Sequence, residues 1–127
     1  MAAIGLGLVK VRGRSMEPTL HTGDRLLVLR GAPPALGRLA VVRLPPDDAG
    51  APRPLAIKRV TRRDPADRTR YWVEADNQKA AGVVDSWTLG QGIGRDEVYA
   101  LVLFRLPGGP TALVAQLRLA TRRLLGR

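Results

Sequence analysis

The chain has 127 residues, a length that suits one compact domain. It has no cysteine and a single histidine, His21, so it lacks a disulfide framework and a conventional zinc site, and we expect no metal or other cofactor. The formal net charge is +10, but aromatic residues make up only 4% of the chain, too few for surfaces that stack single-stranded bases. We therefore do not expect nucleic acid as the partner.

No stretch of the sequence reaches the roughly 20 apolar residues that a membrane span takes. The apolar start, residues 2–9, has no basic region before it of the kind that a secretory signal carries. The sequence therefore predicts a soluble, cytoplasmic protein. A basic amphipathic pattern over residues 111–125 leaves open a peripheral contact with an anionic membrane surface.

Short apolar and β-branched runs separated by connections rich in proline and glycine predict a mainly β domain. We expect a small antiparallel sheet, rolled or barrel-like, with a polar loop at 76–94 and strands at residues 6–12, 25–30, 38–44, 55–62, 70–75 and 97–106, the last closing the sheet. The chain then divides into this β domain, residues 1–106, and a second segment, residues 107–127. The second segment begins with a Pro/Gly hinge and continues as a short C-terminal amphipathic helix.

A serine lies between the first two predicted strands, in Gly13-Arg14-Ser15-Met16-Glu17-Pro18-Thr19-Leu20 followed by His21-Thr22-Gly23-Asp24. Pro18 fixes its own φ and biases Glu17 away from helix, which predicts extended backbone after the serine. Glycines on both sides permit tight turns. A hydroxyl on such a stiff corner suits a nucleophile, although the stretch read alone is also typical of an ordinary loop.

Lys58 is the second residue that indicates chemistry. The chain has only three lysines, and this one falls within the apolar run 55–60. Arginine does not deprotonate in proteins, whereas a buried lysine can lose its charge and act as a general base. If Lys58 meets Ser15, the pair could hydrolyse a peptide bond through an acyl-enzyme, with the N–H of Ser15 among the oxyanion donors. The alternative for a lone lysine is to extend from a strand edge into solvent.

The serine stretch with Gly23-Asp24, then Ile57-Lys58-Arg59-Val60, then Asp76-Asn77 with Asp85-Ser86 resembles the type I signal peptidase family of serine–lysine proteases. These motifs follow the family's order and together cover most of residues 9–104. The small size and the lack of a membrane anchor are most similar to the soluble branch of nickel-type superoxide dismutase maturation proteases. That resemblance implies a serine endopeptidase that removes an N-terminal leader or propeptide from a protein precursor.

The resemblance also implies a role for each matching residue. Ser15 would be the nucleophile and Lys58 the general base. The supporting residues would be Met16 beside the pair, an ion pair of Arg59 with Asp76, Asp85 bracing the acidic loop, and Arg14 next to the serine.

Three features depart from the family pattern. Gly13 stands where some relatives carry a hydroxyl that helps to bind the oxyanion, so that backbone must suffice. Trp87 stands where the family has an arginine after Asp-Ser. The spacing from Asp76 to Asp85 is longer than usual, which implies a less tightly oriented lysine.

Several alternatives stay open at this stage. The chain could process another substrate, or it could be a weakly active or inactive relative that acts as a basic binding module. A relay of Ser15, His21 and Asp24 would have to fit on one short turn, where triad geometry is hard to hold. A self-cleaving repressor-type peptidase shares the serine–lysine pair, but the fourteen residues before Ser15 favour cleavage of another chain.

Overall fold

The structure of the protein, a computed structural model, describes residues 4–107. The predicted mainly β, antiparallel fold is confirmed: the strands are β1 (Gly5–Lys10), β2 (Arg25–Arg30), β3 (Leu39–Val42), β4 (Ala56–Arg63), β5 (Tyr71–Glu74) and β6 (Val98–Leu106). A short helix α1 (Ser86–Leu89) and a 3-10 turn (Arg95–Glu97) lie between β5 and β6. No helix in this part of the chain is long and apolar enough to cross a membrane. The predicted helix at 111–125 lies outside the described residues.

The six strands form one sheet in the order β1-β2-β6-β3-β4-β5. The sequence had predicted that the last strand closes the sheet. In the structure β6 instead lies in the interior of the sheet. With nine residues, β6 is long enough to pair with β2 along residues 100–106 and with β3 along residues 98–101. Among the described residues the end strands β1 and β5 each have one neighbouring strand, but the outer edge of β5 also bonds to Ile93 and Ser86, so only β1 has an unpaired edge.

Both faces of the middle of the sheet are buried. On β3, Val41 packs into one apolar cluster, while Ala40 and Val42 pack into a second cluster. This follows from the alternation of side chains along a strand. The first cluster also takes in Met16 and Leu20 from the serine stretch. Burial of side chains of this size contributes about 1.5–3 kcal/mol each, so the serine stretch is anchored on both sides of its proline.

Candidate active site

The serine stretch is a compact turn. Leu20 donates its N–H to the carbonyl of Met16 at 2.9 Å, and Glu17 donates to the carbonyl of Arg14 at 3.2 Å. The predicted extended backbone after Ser15 is therefore wrong. The chain curls because the side chains of Met16 and Leu20, 2% and 3% exposed, both enter the core. Gly13 begins the turn with φ of 81°, a conformation that a side chain disfavours.

Asn77 ties this turn to the loop after β5. Its backbone N–H donates to the carbonyl of Ser15 at 2.8 Å, and its side-chain Nδ2 donates to the carbonyl of Arg14 at 3.0 Å. The backbone N–H of Asp76 lies 3.4 Å from the Sδ of Met16. Sequence reasoning named Asn77 only as part of a motif and gave it no role. The available signal was its position directly after Asp76, together with an amide side chain that can donate and accept.

Lys58 lies on β4 opposite Ala40 of β3, and its side chain is only 3% exposed. Burial penalises the charged ammonium and lowers the pKa of Lys58, while the negative charge of Asp85 raises it in part. Within residues 4–107 this lysine takes part in no ion pair. It therefore does not extend into solvent from a strand edge, and its environment favours the neutral amine.

Ser15 and Lys58 line one cleft of about 570 Å³. Its walls come from three segments, residues 9–16, 53–58 and 81–84, together with Val41 on β3 and Leu44 just after it. Twelve of the twenty lining residues are apolar: Val9, Val11, Met16, Val41, Leu44, Pro54, Leu55, Ala56, Ile57, Ala81, Val83 and Val84. The fold thus brings the predicted nucleophile and the predicted base to a shared apolar cleft, with Met16 beside them.

Arg59 and Asp76 form the expected ion pair at the back of the serine turn. The Nε and Nη2 atoms of Arg59 donate to the two carboxylate oxygens of Asp76, each at 2.8 Å. The hydroxyl of Thr19 donates to the same carboxylate at 2.6 Å. The hydrogen bonds from Arg59, followed by that from Thr19, hold the pKa of Asp76 below its usual range against the opposing effect of burial. The pair fastens the serine turn to β4.

Asp85 is fully buried and organises the loop between β5 and α1. Its carboxylate accepts hydrogen bonds from the N–H of Ala75 at 3.0 Å, the side chain of Gln78 at 2.8 Å and the N–H of Trp87 at 3.0 Å. The last of these caps the N-terminus of α1, and Thr88 completes a capping box. The carboxylate thus holds β5, the loop and α1 together while its charge acts on Lys58.

The side chain of Trp87, where the resemblance implied an arginine, makes its contacts away from this carboxylate. Its Nε1 donates to Glu74 at 2.7 Å, and its ring meets Trp72 edge-on with centroids 5.2 Å apart. The guanidinium of Arg62 lies 5.4 Å from the Trp87 ring centroid. Trp72 itself is 8% exposed, as expected of a core residue. The Trp87 side chain therefore forms a separate cluster with Glu74, Trp72 and Arg62, and the Asp85 carboxylate is held by two backbone N–H groups and by Gln78.

The remaining candidate residues lie at the rim or away from the cleft. Arg14 is exposed and pairs with Glu17 at 3.0 Å. Asp24 accepts a hydrogen bond from the backbone N–H of His21 at 2.8 Å, which is turn chemistry and not a relay. Neither His21 nor Asp24 lines the cleft. Within residues 4–107 no group of three or more His, Asp or Glu side chains is placed to hold a metal ion.

The arrangement provides the parts for acyl transfer. Ser15 supplies a hydroxyl, Lys58 supplies an amine with a lowered pKa, and the N–H of Ser15 enters no hydrogen bond among the described residues. An unused N–H beside a nucleophile can donate to a developing oxyanion.

A family model described as Peptidase S24-like matches residues 3–83, which is more than half of the chain. The matched region includes the serine turn, β4 with Lys58 and Arg59, and the Asp76-Asn77 pair; it ends before Asp85. No curated protein matches the chain.

Proposed function

Because this chain belongs to the Peptidase S24-like family, we propose that it is a serine endopeptidase with Ser15 as nucleophile and Lys58 as general base. The observation that carries the proposal is the shared cleft, in which a 3% exposed lysine and a serine on a fixed turn both face the same 570 Å³ space. A buried lysine that lacks an ion pair destabilises a folded domain, and a chemical role accounts for its presence.

The reaction follows from these groups. The neutral amine of Lys58 removes the proton of the Ser15 hydroxyl as its oxygen attacks the peptide carbonyl. The oxyanion forms beside the N–H of Ser15. The Lys58 ammonium then gives its proton to the leaving amine, and an acyl-enzyme remains. Water, deprotonated by the regenerated amine, cleaves this ester and frees the serine.

The proposed substrate is an extended segment of a protein precursor. Val9 and Lys10 of β1 line the cleft, and one edge of β1 is unpaired among the described residues, so an added strand could form main-chain hydrogen bonds there while its side chains enter the apolar cleft. The resemblance to maturation proteases of nickel-type superoxide dismutase supports a leader-bearing precursor of that kind as the substrate. A cytoplasmic location for the reaction stays a prediction.

Co-expression with a leader-bearing precursor of nickel superoxide dismutase tests the proposal, with intact mass as the readout. We expect the native chain to shorten the precursor at one site and Ser15→Ala to leave it whole. Lys58→Arg should be as inactive as Lys58→Ala, because an arginine stays charged. The matched control is Lys79→Arg at an exposed lysine away from the cleft, which should cleave normally.

The outcomes separate the parts of the proposal. Product formation by Ser15→Ala, or substantial activity in Lys58→Arg, would contradict the serine–lysine mechanism. Cleavage of other precursors but not of this one would retain the peptidase and reject the dismutase substrate. Binding without cleavage of any precursor would favour the alternative of an inactive relative that serves as a binding module.

A further inference from the structure

The rim of the cleft is uniformly basic. Apart from the buried Lys58, four basic residues line it, Lys10, Arg12, Arg14 and Arg53, and none of the lining residues is acidic. From this we infer that the cleft selects polypeptides in which carboxylate side chains flank an apolar core segment. The inference rests on the proposed peptidase function only for the position of those carboxylates. They would lie on either side of the substrate bond that Ser15 attacks.

Lys10 and Arg12 are the cations most available to a ligand. Both are exposed, and neither forms an ion pair among the described residues. Arg14 is partly neutralised by Glu17, and Arg53 donates to the carbonyls of the two prolines that follow Leu44. The wall formed by residues 9–14 therefore carries uncompensated positive charge directly before the serine turn, and an anionic group would gain an interaction there.

The interior of the cleft favours a peptide over a nucleic acid as the source of that anionic group. Valine, leucine, isoleucine and methionine side chains line it, and none of the lining residues is aromatic. Single-stranded nucleic acids depend on aromatic stacking as well as on basic grooves. An extended peptide can place apolar side chains in the interior and aspartate or glutamate at the rim, which matches both features of the cleft.

Binding to Ser15→Ala tests the inference without any need for turnover. Three fluorescent peptides would share one apolar core segment and differ only in flanking residues, with aspartate, asparagine or lysine on both sides. We expect the aspartate peptide to bind about tenfold more tightly than the asparagine peptide, and the lysine peptide to bind most weakly. The ratio should fall towards one near 1 M salt, where the Debye length is about 3 Å.

Cation removal locates the effect. Adding Lys10→Gln or Arg12→Gln to the Ser15→Ala chain should weaken binding of the aspartate peptide about threefold each and leave the asparagine peptide unchanged. The matched control is Arg68→Gln, an exposed arginine in the β4–β5 connection that does not line the cleft, and it should have no effect. Arg12→Glu should narrow the difference in affinity between the aspartate and lysine peptides more than Arg12→Gln does.

Three results would overturn the inference. Equal affinity for the three peptides would show that the rim does not select charge. An Arg68→Gln loss as large as that of Arg12→Gln would assign the effect to the overall positive charge of the chain. Tighter, Arg12-dependent binding of a twelve-nucleotide single-stranded DNA would assign the cleft to nucleic acid. A different result would contradict the proposed peptidase activity and leave the charge selection standing: the native chain would cleave none of the peptides that Ser15→Ala binds.

Discussion

The backbone N–H of Asn77 donates to the carbonyl oxygen of Ser15 at 2.8 Å, across 62 positions of sequence. The side chain of the same asparagine holds the carbonyl of Arg14 at 3.0 Å. Two consecutive carbonyls of the serine turn are thus fixed by one residue. The N–H of Ser15 and its hydroxyl have no hydrogen-bond partner among the described residues and remain for a substrate.

Asn77→Asp tests whether this clamp positions the nucleophile. The aspartate keeps an acceptor for the N–H of Lys79, which lies 3.2 Å from the Asn77 Oδ1, but it replaces the donor to the Arg14 carbonyl with an oxygen. We expect kcat/KM to fall at least tenfold, because small misplacements of a reacting group are costly, and the free energy of unfolding to fall by about 1 kcal/mol. Kinetics and urea unfolding measure the two effects. Lys79→Ala is the control, and a loss of stability with an unchanged kcat/KM would leave Asn77 a purely structural residue.

Lys58→Met should stabilise the protein while abolishing hydrolysis. Burial lowers the pKa of Lys58 in the folded state, so the unfolded chain binds its proton more tightly. The resulting destabilisation is full below the lowered pKa, and it disappears as pH rises from that value to the ordinary value of about 10.4. We expect the free energy of unfolding of Lys58→Met, measured by urea titration, to exceed that of the native chain by about 1–3 kcal/mol at pH 7. This difference in free energy should shrink towards pH 10. If Lys58→Met is less stable than the native chain, and the two free energies of unfolding do not approach each other towards pH 10, the lowered pKa of Lys58 is contradicted. Lys79→Met is the control for the loss of a surface charge.

Asp76→Asn should lower stability in a way that depends on pH. The hydrogen bonds from Arg59 and Thr19 lower the pKa of Asp76, so this carboxylate stabilises the fold above its ordinary pKa near 3.9. That contribution is lost as pH falls through the lowered folded value. We expect a loss of about 1–3 kcal/mol at pH 7 and a narrowing gap between variant and native chain below about pH 4. Urea titrations between pH 7 and pH 2 measure the free energy of unfolding. Arg59→Lys keeps the positive charge but not the two hydrogen bonds to Asp76, so its loss of stability should be smaller than that of Asp76→Asn. A gap that stays constant to pH 2 would disprove the assigned role.

Asp85→Asn should move the pH dependence of hydrolysis. The negative charge of Asp85 raises the pKa of Lys58 against burial, so its removal lowers that pKa further. With the neutral amine as the proposed base, activity should rise with pH through this pKa, and the midpoint should move to lower pH in the variant. Asp64→Asn is a matched control, since Asp64 is also buried, also accepts backbone hydrogen bonds and does not act on Lys58. Both variants should lose about 1–3 kcal/mol of stability, and a midpoint that moves equally in both, or upward in Asp85→Asn, would refute the charge effect.

The strands could be predicted from sequence because their signal is local. Runs such as Leu26 to Leu29 and Tyr71 to Val73 are apolar, β-branched or aromatic and are bounded by turn residues, and all six appear within a few positions of the expected bounds. The interior position of β6 could not be predicted in the same way. It depends on which strands pair over long separations, and a nine-residue run that can pair on both edges looks in sequence like any other strand.

The candidate site also has parts that could be predicted from local sequence and parts that could not. Ser15 and Lys58 were identified from residue type and motif, and both line one cleft. The curl of the serine turn was missed because it depends on the burial of Met16 and Leu20 by residues far along the chain. The contacts of the Trp87 side chain could not be predicted either, because its partners Glu74 and Trp72 come from β5 and no local sequence pattern indicates that they meet Trp87.

The interior place of β6 has a consequence for the newborn polypeptide. During translation β1 and β2 can pair first, and β3, β4 and β5 can pair next, but β6 alone joins these two pieces of sheet and it leaves the ribosome after all the others. Until residues 98–106 emerge, no strand pairing joins β2, which follows the serine turn, to β3, which pairs with the strand that carries Lys58. The sheet that carries the proposed nucleophile and base is thereby completed only when the whole β domain has been synthesised.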